Sequence, residues 1–136
     1  MYFDQFGNEV PCPDEKAGLY VRIRNGDTVK VKSPADGCAF QMGETAQIHS
    51  GGVLQATAHM VKAADVPGIS RSNVAVFMEP GPTDLMKCPI GSDSDAVVNG
   101  GAKLLPKGVP LLASRWTVGS TQTFGDFTEK TLSSYY

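Results

Sequence analysis

The chain has 136 residues, of which 41% are hydrophobic and 19% charged, and its formal net charge is −2. This length and composition are typical of a globular domain that buries a core. The weak negative charge, without any basic cluster, argues against nucleic acid or an anionic membrane surface as a partner. The sequence has no run of about 18 apolar residues, so no membrane-spanning helix is predicted.

The N-terminal stretch "MYFDQFGNEV" has an early acidic residue and no apolar centre, unlike a secretory signal. The three cysteines, Cys12, Cys38 and Cys88, are odd in number, widely spaced and without zinc-finger spacing to histidine. They are predicted to be reduced, partly buried thiols. The expected location of the chain is therefore the cytoplasm.

Short apolar runs between scattered glycines and prolines predict strands through the first half of the chain. The run "GLYVRIR" alternates apolar and polar residues, and Asn25-Gly26 predicts a hairpin turn into the returning strand "TVKVK". Further strands are predicted at residues 38–52, in two pieces separated by Gly43, at 53–61 and at 71–79.

The second half changes character. Residues 80–108 are rich in proline, glycine and aspartate and are predicted to form one long irregular loop, either a plain surface loop or part of a lid. Residues 124–136 are predicted to form a helical tail, because Asp126 and Glu129 resemble a capping box. A helix this short needs to dock on the sheet to be stable. The pattern predicts a single all-β domain, 1–136, with a short C-terminal helix.

Two predicted strands carry polar residues that are of chemical interest. Alternate residues of a strand share a face, which places His59 with Gln55 and Thr57. Arg71 and Asn73 share a face of the next predicted strand by the same rule. From spacing alone, the simpler interpretation is that these polar groups face water while the apolar faces pack on the core.

The block "QMGETAQIHSGGVLQATAHMV", followed by Arg71 and "NVAVFMEP", resembles the C-terminal part of the Fe(II)/2-oxoglutarate-dependent dioxygenases of the isopenicillin N synthase-like family. The hairpin before the block and the tail "SRWTVGSTQTFGDFTEKT" are similar to that family more weakly. The resemblance implies a partial double-stranded β-helix (jelly roll), of which this chain supplies the later strands. It also implies an oxidoreductase that acts on an unknown small molecule.

The resemblance also implies roles for individual residues. His59 matches the family's last iron-binding histidine, a neutral imidazole suited to Fe(II). Arg71 matches the arginine that holds a carboxylate of 2-oxoglutarate or substrate, and Asn73 stands where the family has Ser or Thr. The family's other two iron ligands, a His-x-Asp pair, have no counterpart here. The second histidine, His49, matches no ligand and is predicted to be packed or half-exposed.

With two of three iron ligands missing, this chain by itself is not expected to hold Fe(II) or 2-oxoglutarate. It is predicted to be a fragment or truncated family member, active only if upstream sequence or another chain completes the iron site. The alternative is a non-catalytic jelly-roll binding or scaffold module with a remnant anion pocket at Arg71. In both cases an unpaired sheet edge is expected, through which the chain self-associates.

Overall fold

The computed structural model of the chain describes residues 1–34 and 36–135. They form two compact units, each built from two separate stretches of the chain. Unit 1 comprises Met1–Gly37 and His59–Phe77, and unit 2 comprises Cys38–Ala58 and Met78–Tyr136. No helix within the described residues is long and apolar enough to cross a membrane.

The described residues of unit 1 form two small antiparallel sheets of three strands each. In the first sheet the central strand is β1 (Tyr2–Phe3), flanked by β2 (Glu9–Val10) and β6 (Ser70–Arg71). In the second sheet the central strand is β3 (Gly18–Arg22), flanked by β4 (Thr28–Lys30) and β5 (His59–Lys62). Strand β6 is therefore an edge strand, with β1 on one side only.

The hairpin predicted from Asn25-Gly26 is confirmed by the pairing of β3 with β4. The Ile23 backbone N–H donates to the Asp27 carbonyl at 2.9 Å, which closes the turn. Gly26 has φ +96°, a left-handed conformation that residues with a side chain rarely adopt. The Asn25 side-chain amide donates to the Asp27 carboxylate at 2.7 Å and holds the turn from outside.

The regular secondary structure of unit 2, among its described residues, is helical apart from an isolated bridge between Leu85 and Thr123. The helical elements are α1 (Glu44–His49), α2 (Ser94–Asn99), a 3₁₀ turn (Ala102–Leu104), α3 (Leu112–Arg115) and α4 (Phe124–Ser133). One apolar core joins the four α-helices; its buried side chains are those of Ile48, Met86, Val97, Leu112, Trp116 and Phe127. The Trp116 indole N–H donates to the Met86 carbonyl at 2.9 Å, so the hydrogen-bond donor of the largest core side chain has a partner.

The predicted all-β jelly roll is wrong, because the described chain contains two three-stranded sheets and four short α-helices. The clearest error concerns residues 44–49, which were predicted as strand and form α1. Gln47 and Ile48 are adjacent and both buried, whereas a half-buried strand would bury only one of two neighbours. Six residues are too few to separate the helical from the strand period in the sequence.

Segment 80–108, predicted as irregular loop, contains α2 and the 3₁₀ turn. Helix α2 begins after Asp93, whose side chain accepts the Asp95 backbone N–H at 3.0 Å. Val97 then packs in the core with no exposed surface. The acidic and serine residues before α2 were interpreted as turn formers, although the same residues also cap helices.

Helix α4 lies inside the range predicted as a helical tail; Tyr136, the last residue of that range, is outside the described residues. The cap differs from the prediction. Thr123 caps the helix by accepting the Asp126 backbone N–H at 3.2 Å, and the Asp126 carboxylate accepts the Thr123 N–H at 2.9 Å. The capping box therefore begins three residues before the one predicted at Asp126 and Glu129.

Candidate functional site

The structure places His59 and Arg71, the two principal residues of the predicted site, in different sheets. His59 is the first residue of β5, lies opposite Val21 of β3, and is exposed. Arg71 is the last residue of β6, lies opposite Tyr2 of β1, and is also exposed. Strands β5 and β6, which the sequence analysis treated as neighbours, are not paired with each other.

Arg71 and Asn73, the residues predicted to hold a carboxylate, do lie side by side. The Arg71 Nη1 donates to the Asn73 Oδ1 at 3.4 Å, a long hydrogen bond between two exposed side chains. Water screens charges at such a position, and exposed ion pairs contribute at most about 1 kcal/mol. The remnant anion pocket of the scaffold hypothesis thus corresponds to an open surface.

The donor set for a facial iron triad is incomplete among the residues that the structure describes. These residues contain no group of three or more His, Cys, Asp or Glu side chains placed to hold a metal ion. His49, on α1, is exposed rather than packed, and its Nδ1 lies 3.0 Å from the Lys87 carbonyl oxygen. One imidazole at His59 does not form the chelate that Fe(II) requires, so these residues do not fit an iron centre.

The three cysteines are free. Cys12 and Cys38 are exposed and Cys88 is half-buried, so the prediction of partly buried thiols fits Cys88 alone. A hydrogen bond with the Tyr2 side chain is the main reason why the pKa of the Cys12 thiol lies below its ordinary value. The same hydrogen bond raises the pKa of the Tyr2 hydroxyl.

A buried polar cluster in unit 2 was missed by the sequence analysis. Arg115 is only 2% exposed, and its Nη2 donates to the Glu44 carboxylate at 2.5 Å and to the Pro110 carbonyl at 3.1 Å. Its Nη1 donates to the Thr131 hydroxyl at 3.0 Å, and the guanidinium carbon lies 5.6 Å from the Phe127 ring centre. The cluster connects α1, α3 and α4, which is a structural role.

Gln47 completes the polar interior of unit 2. Its side-chain nitrogen donates to the Val97 carbonyl at 2.7 Å, and its side-chain oxygen accepts the Ala56 N–H at 2.8 Å. A small cavity is lined by Gln47, Glu44 and neighbouring apolar residues. Both polar groups at this cavity already have protein partners, so the cavity offers little to a polar ligand.

The most unusual surface feature is the stretch Arg71–Glu79, here called the strand segment. Val74, Val76, Phe77 and Met78 are 86%, 83%, 80% and 79% exposed. A strand over residues 71–79 with an apolar face toward the core was predicted here, but the strand of the structure ends at Arg71 and no core covers these side chains among the described residues. A contiguous run of large exposed apolar residues is rare on proteins that function alone.

The backbone of the strand segment is also unpaired beyond its beginning. The Ser72 N–H donates to the Met1 carbonyl at 3.0 Å, and the Met1 amino group donates to the Ser72 carbonyl at 3.0 Å. No backbone group of residues 73–79 has a backbone partner within the described part of the chain. These residues follow an edge strand without belonging to it, and they offer both backbone groups that lack backbone partners and exposed apolar side chains.

No protein-family model, curated protein or solved structure matches the chain. The similarity to Fe(II)/2-oxoglutarate-dependent dioxygenases, and with it the iron role of His59, stays a prediction from the sequence.

Proposed function

We propose that the chain is a binding module that recognises another polypeptide by strand pairing along the strand segment. The observation that carries this proposal is the exposure of Val74, Val76, Phe77 and Met78 on a backbone that has no backbone hydrogen-bond partner among the described residues. Strand addition of this kind takes affinity from main-chain hydrogen bonds and specificity from alternate side chains.

The shape of the strand segment favours an extended polypeptide over a small molecule. Side chains that are about four-fifths exposed stand out from the surface and do not line a concave pocket. A second strand covers such side chains along their length. Removing one exposed Val, Met or Phe side chain from water stabilises a complex by about 1.5–3 kcal/mol, before the cost of ordering the segment.

The proposed setting of the module is the cytoplasm. Three free cysteines, two of them exposed, support this setting because reduced thiols persist where the compartment is reducing.

The direct test is the binding of a synthetic strand peptide. Fluorescence anisotropy of a labelled eight-residue peptide of alternating Thr and Val, titrated with the chain, is expected to show saturable binding. Proline lacks the N–H that a paired strand donates, so Ala75→Pro is expected to weaken binding at least tenfold. Ala39→Pro, at an exposed residue outside helices and strands, is the matched control and is expected to bind like the unmodified chain.

A labelled peptide of the same composition with a central proline controls for non-specific apolar adsorption. The proposal is overturned if the unmodified chain, at a concentration where sedimentation shows it to be monomeric, does not bind the Thr-Val peptide. It is equally overturned if Ala75→Pro binds that peptide as tightly as Ala39→Pro does.

A further inference from the structure

We infer that the polypeptide which pairs with the strand segment is a second copy of this chain, antiparallel to the first and centred on Ala75. The inference rests on the proposed function and adds the identity of the partner. In this register the opposing residues of the two copies are Arg71 and Glu79, Ser72 and Met78, Asn73 and Phe77, Val74 and Val76, and Ala75 with itself.

Charge complementarity favours this arrangement. The strand segment begins with a cation, Arg71, and ends with an anion, Glu79, with uncharged residues between them. The antiparallel register places Arg71 of each copy opposite Glu79 of the other, and opposite charges on facing strand residues attract. A parallel in-register pair would set Arg71 beside Arg71 and Glu79 beside Glu79, which repel.

The backbone N–H and C=O groups at the start of the strand segment point in the directions that this register requires. The reciprocal hydrogen bonds between Ser72 and Met1 show that the N–H and C=O of Ser72 point toward β1. Backbone groups of successive residues point to opposite sides of a strand, so those of Arg71 point to the open edge. In the paired state the strand extends through residues 72–79, which lie outside the strands of the structure, and the groups of Asn73, Ala75, Phe77 and Glu79 then point the same way.

Every residue with groups at the open edge then meets another such residue. Arg71 faces Glu79, Asn73 faces Phe77, and Ala75 faces itself, so each pair exchanges two hydrogen bonds. If the register slipped by one residue, residues whose backbone groups point to the open edge would lie opposite residues whose groups point toward β1. The backbone hydrogen bonds between the two copies would then be lost. The same slip would move each apolar side chain to the other face.

The side chains support the same register. Val74, Val76 and Met78 share the face opposite Arg71, and pairing brings the three from each copy together. At the centre, Val74 of each copy lies opposite Val76 of the other, a β-branched pair well suited to facing strands. Pro80 follows at once and cannot donate to a strand partner, which limits the pairing to this segment.

The first test is charge reversal, followed by sedimentation equilibrium over a range of chain concentrations. The chain of 14.4 kDa is expected to reach twice that mass as concentration rises. Arg71→Glu and Glu79→Arg are each expected to raise the dimer dissociation constant at least tenfold. Each substitution turns both 71–79 pairs of the dimer into pairs of like charges. The double variant Arg71→Glu/Glu79→Arg restores opposite charges and is expected to recover the dimer. Arg24→Glu, an exposed arginine in unit 1, is the matched control and leaves it unchanged.

The second test fixes the register by disulfide formation in a background with Cys12, Cys38 and Cys88 changed to Ser. Ala75→Cys is expected to cross-link, because facing Cα atoms in a hydrogen-bonded pair lie about 5.5 Å apart, within disulfide reach. Asn73→Cys is not expected to cross-link, because the two copies of that residue lie about 14 Å apart along the strands.

The outcomes distinguish an error in the proposed partner from an error in the proposed function. A chain that stays monomeric but binds the Thr-Val peptide overturns the second copy as the partner and leaves the proposed function standing. A monomeric chain that binds no strand peptide overturns both. A dimer that tolerates both single charge reversals, or that cross-links at Asn73→Cys and not at Ala75→Cys, forms elsewhere and overturns the inference.

Discussion

Ile48 in unit 2 has no exposed surface, whereas Ile23 in unit 1 is 38% exposed, although both follow predicted strand patterns. The contrast extends to the whole of each unit. Unit 2 buries six large apolar side chains in one core, while Ala17 is the only residue of unit 1, among those described, that is buried. Apolar burial therefore holds unit 2, and backbone pairing in two small sheets holds unit 1.

This difference shows that a unit can pair its backbone hydrogen-bonding groups without burying an apolar core. The strands of unit 1 are two to five residues long, and sheets of three such strands have little area to cover. Their apolar side chains are at best half-buried, and Val74, Val76 and Phe77, which follow β6, are the most exposed of unit 1. A second strand or chain is the simplest way to cover them, which links the weak packing of unit 1 to its proposed function.

The largest expected effect tests the contrast directly. Ile48→Ala is expected to lower the free energy of unfolding of unit 2 by about 2–5 kcal/mol, because the deletion leaves a cavity in a closed core. Ile23→Ala, the matched deletion in unit 1, is expected to cost less than about 1 kcal/mol. Urea unfolding followed by far-UV circular dichroism measures both. A similar loss in the two variants would show that unit 1 has a core of its own.

The next effect concerns the buried ion pair of unit 2. Glu44→Met removes the carboxylate that Arg115 contacts, which leaves a buried charge and is expected to cost about 1.5–3 kcal/mol of unfolding free energy. The double variant Glu44→Met/Arg115→Met removes both charges and is expected to be more stable than Glu44→Met alone. The urea unfolding midpoints of the two variants test this expectation. Equal midpoints would mean that Arg115 is hydrated when the Glu44 carboxylate is absent.

A smaller effect is expected at the start of α4. Thr123→Val removes the cap hydroxyl and is expected to cost about 1 kcal/mol of unfolding free energy. The hydrogen bond from the Thr123 side chain is the main reason why the pKa of Asp126 lies below its ordinary value. A carboxyl pKa that is lower in the folded chain contributes stability above the unfolded pKa, and this contribution is lost as pH falls through the folded value.

The measurement for this cap is a ¹³C NMR titration of the Asp126 carboxyl group. In the unmodified chain the midpoint should lie below the ordinary aspartate value, and in Thr123→Val it should rise toward it. An unchanged midpoint in the variant would mean that the Thr123 backbone N–H, which also donates to Asp126, is the stronger partner.

The smallest expected effect is at His59. Anaerobic calorimetry of Fe(II) binding is expected to give the same weak signal for the unmodified chain and for His59→Ala, because a single imidazole forms no chelate. Micromolar binding that His59→Ala abolishes would contradict this expectation. It would also restore the iron role that the resemblance assigns to this residue.

Local signals in the sequence were interpreted more successfully than long-range ones. The turn at Asn25-Gly26 and the helix at Phe124–Ser133 were predicted because their cause lies within a few residues. Helix α1 was missed because its strand-like alternation over six residues is resolved only by packing against Val97, fifty residues later in the chain.

The same distinction between local and long-range signals applies to the candidate site. Arg71 and Asn73 were predicted to share a strand face; Asn73 lies outside the strands of the structure, but the two side chains contact each other. The separation of His59 from Arg71 depends on which strands pair, and residue spacing carries no information about that choice. The exposure of the strand segment was missed for the same reason, because an apolar run looks identical whether or not a core exists to receive it.

The interleaving of the two units has a consequence for the order in which the chain is made. A ribosome that has released residues up to Phe77 has supplied both stretches of unit 1, so its sheets can close early. Helix α1 emerges before that point, yet Val97, Trp116 and Phe127, which enclose Ile48, are synthesised later. Throughout this interval the core that encloses Ile48 is incomplete, so we expect the better-packed unit to be the later one to fold.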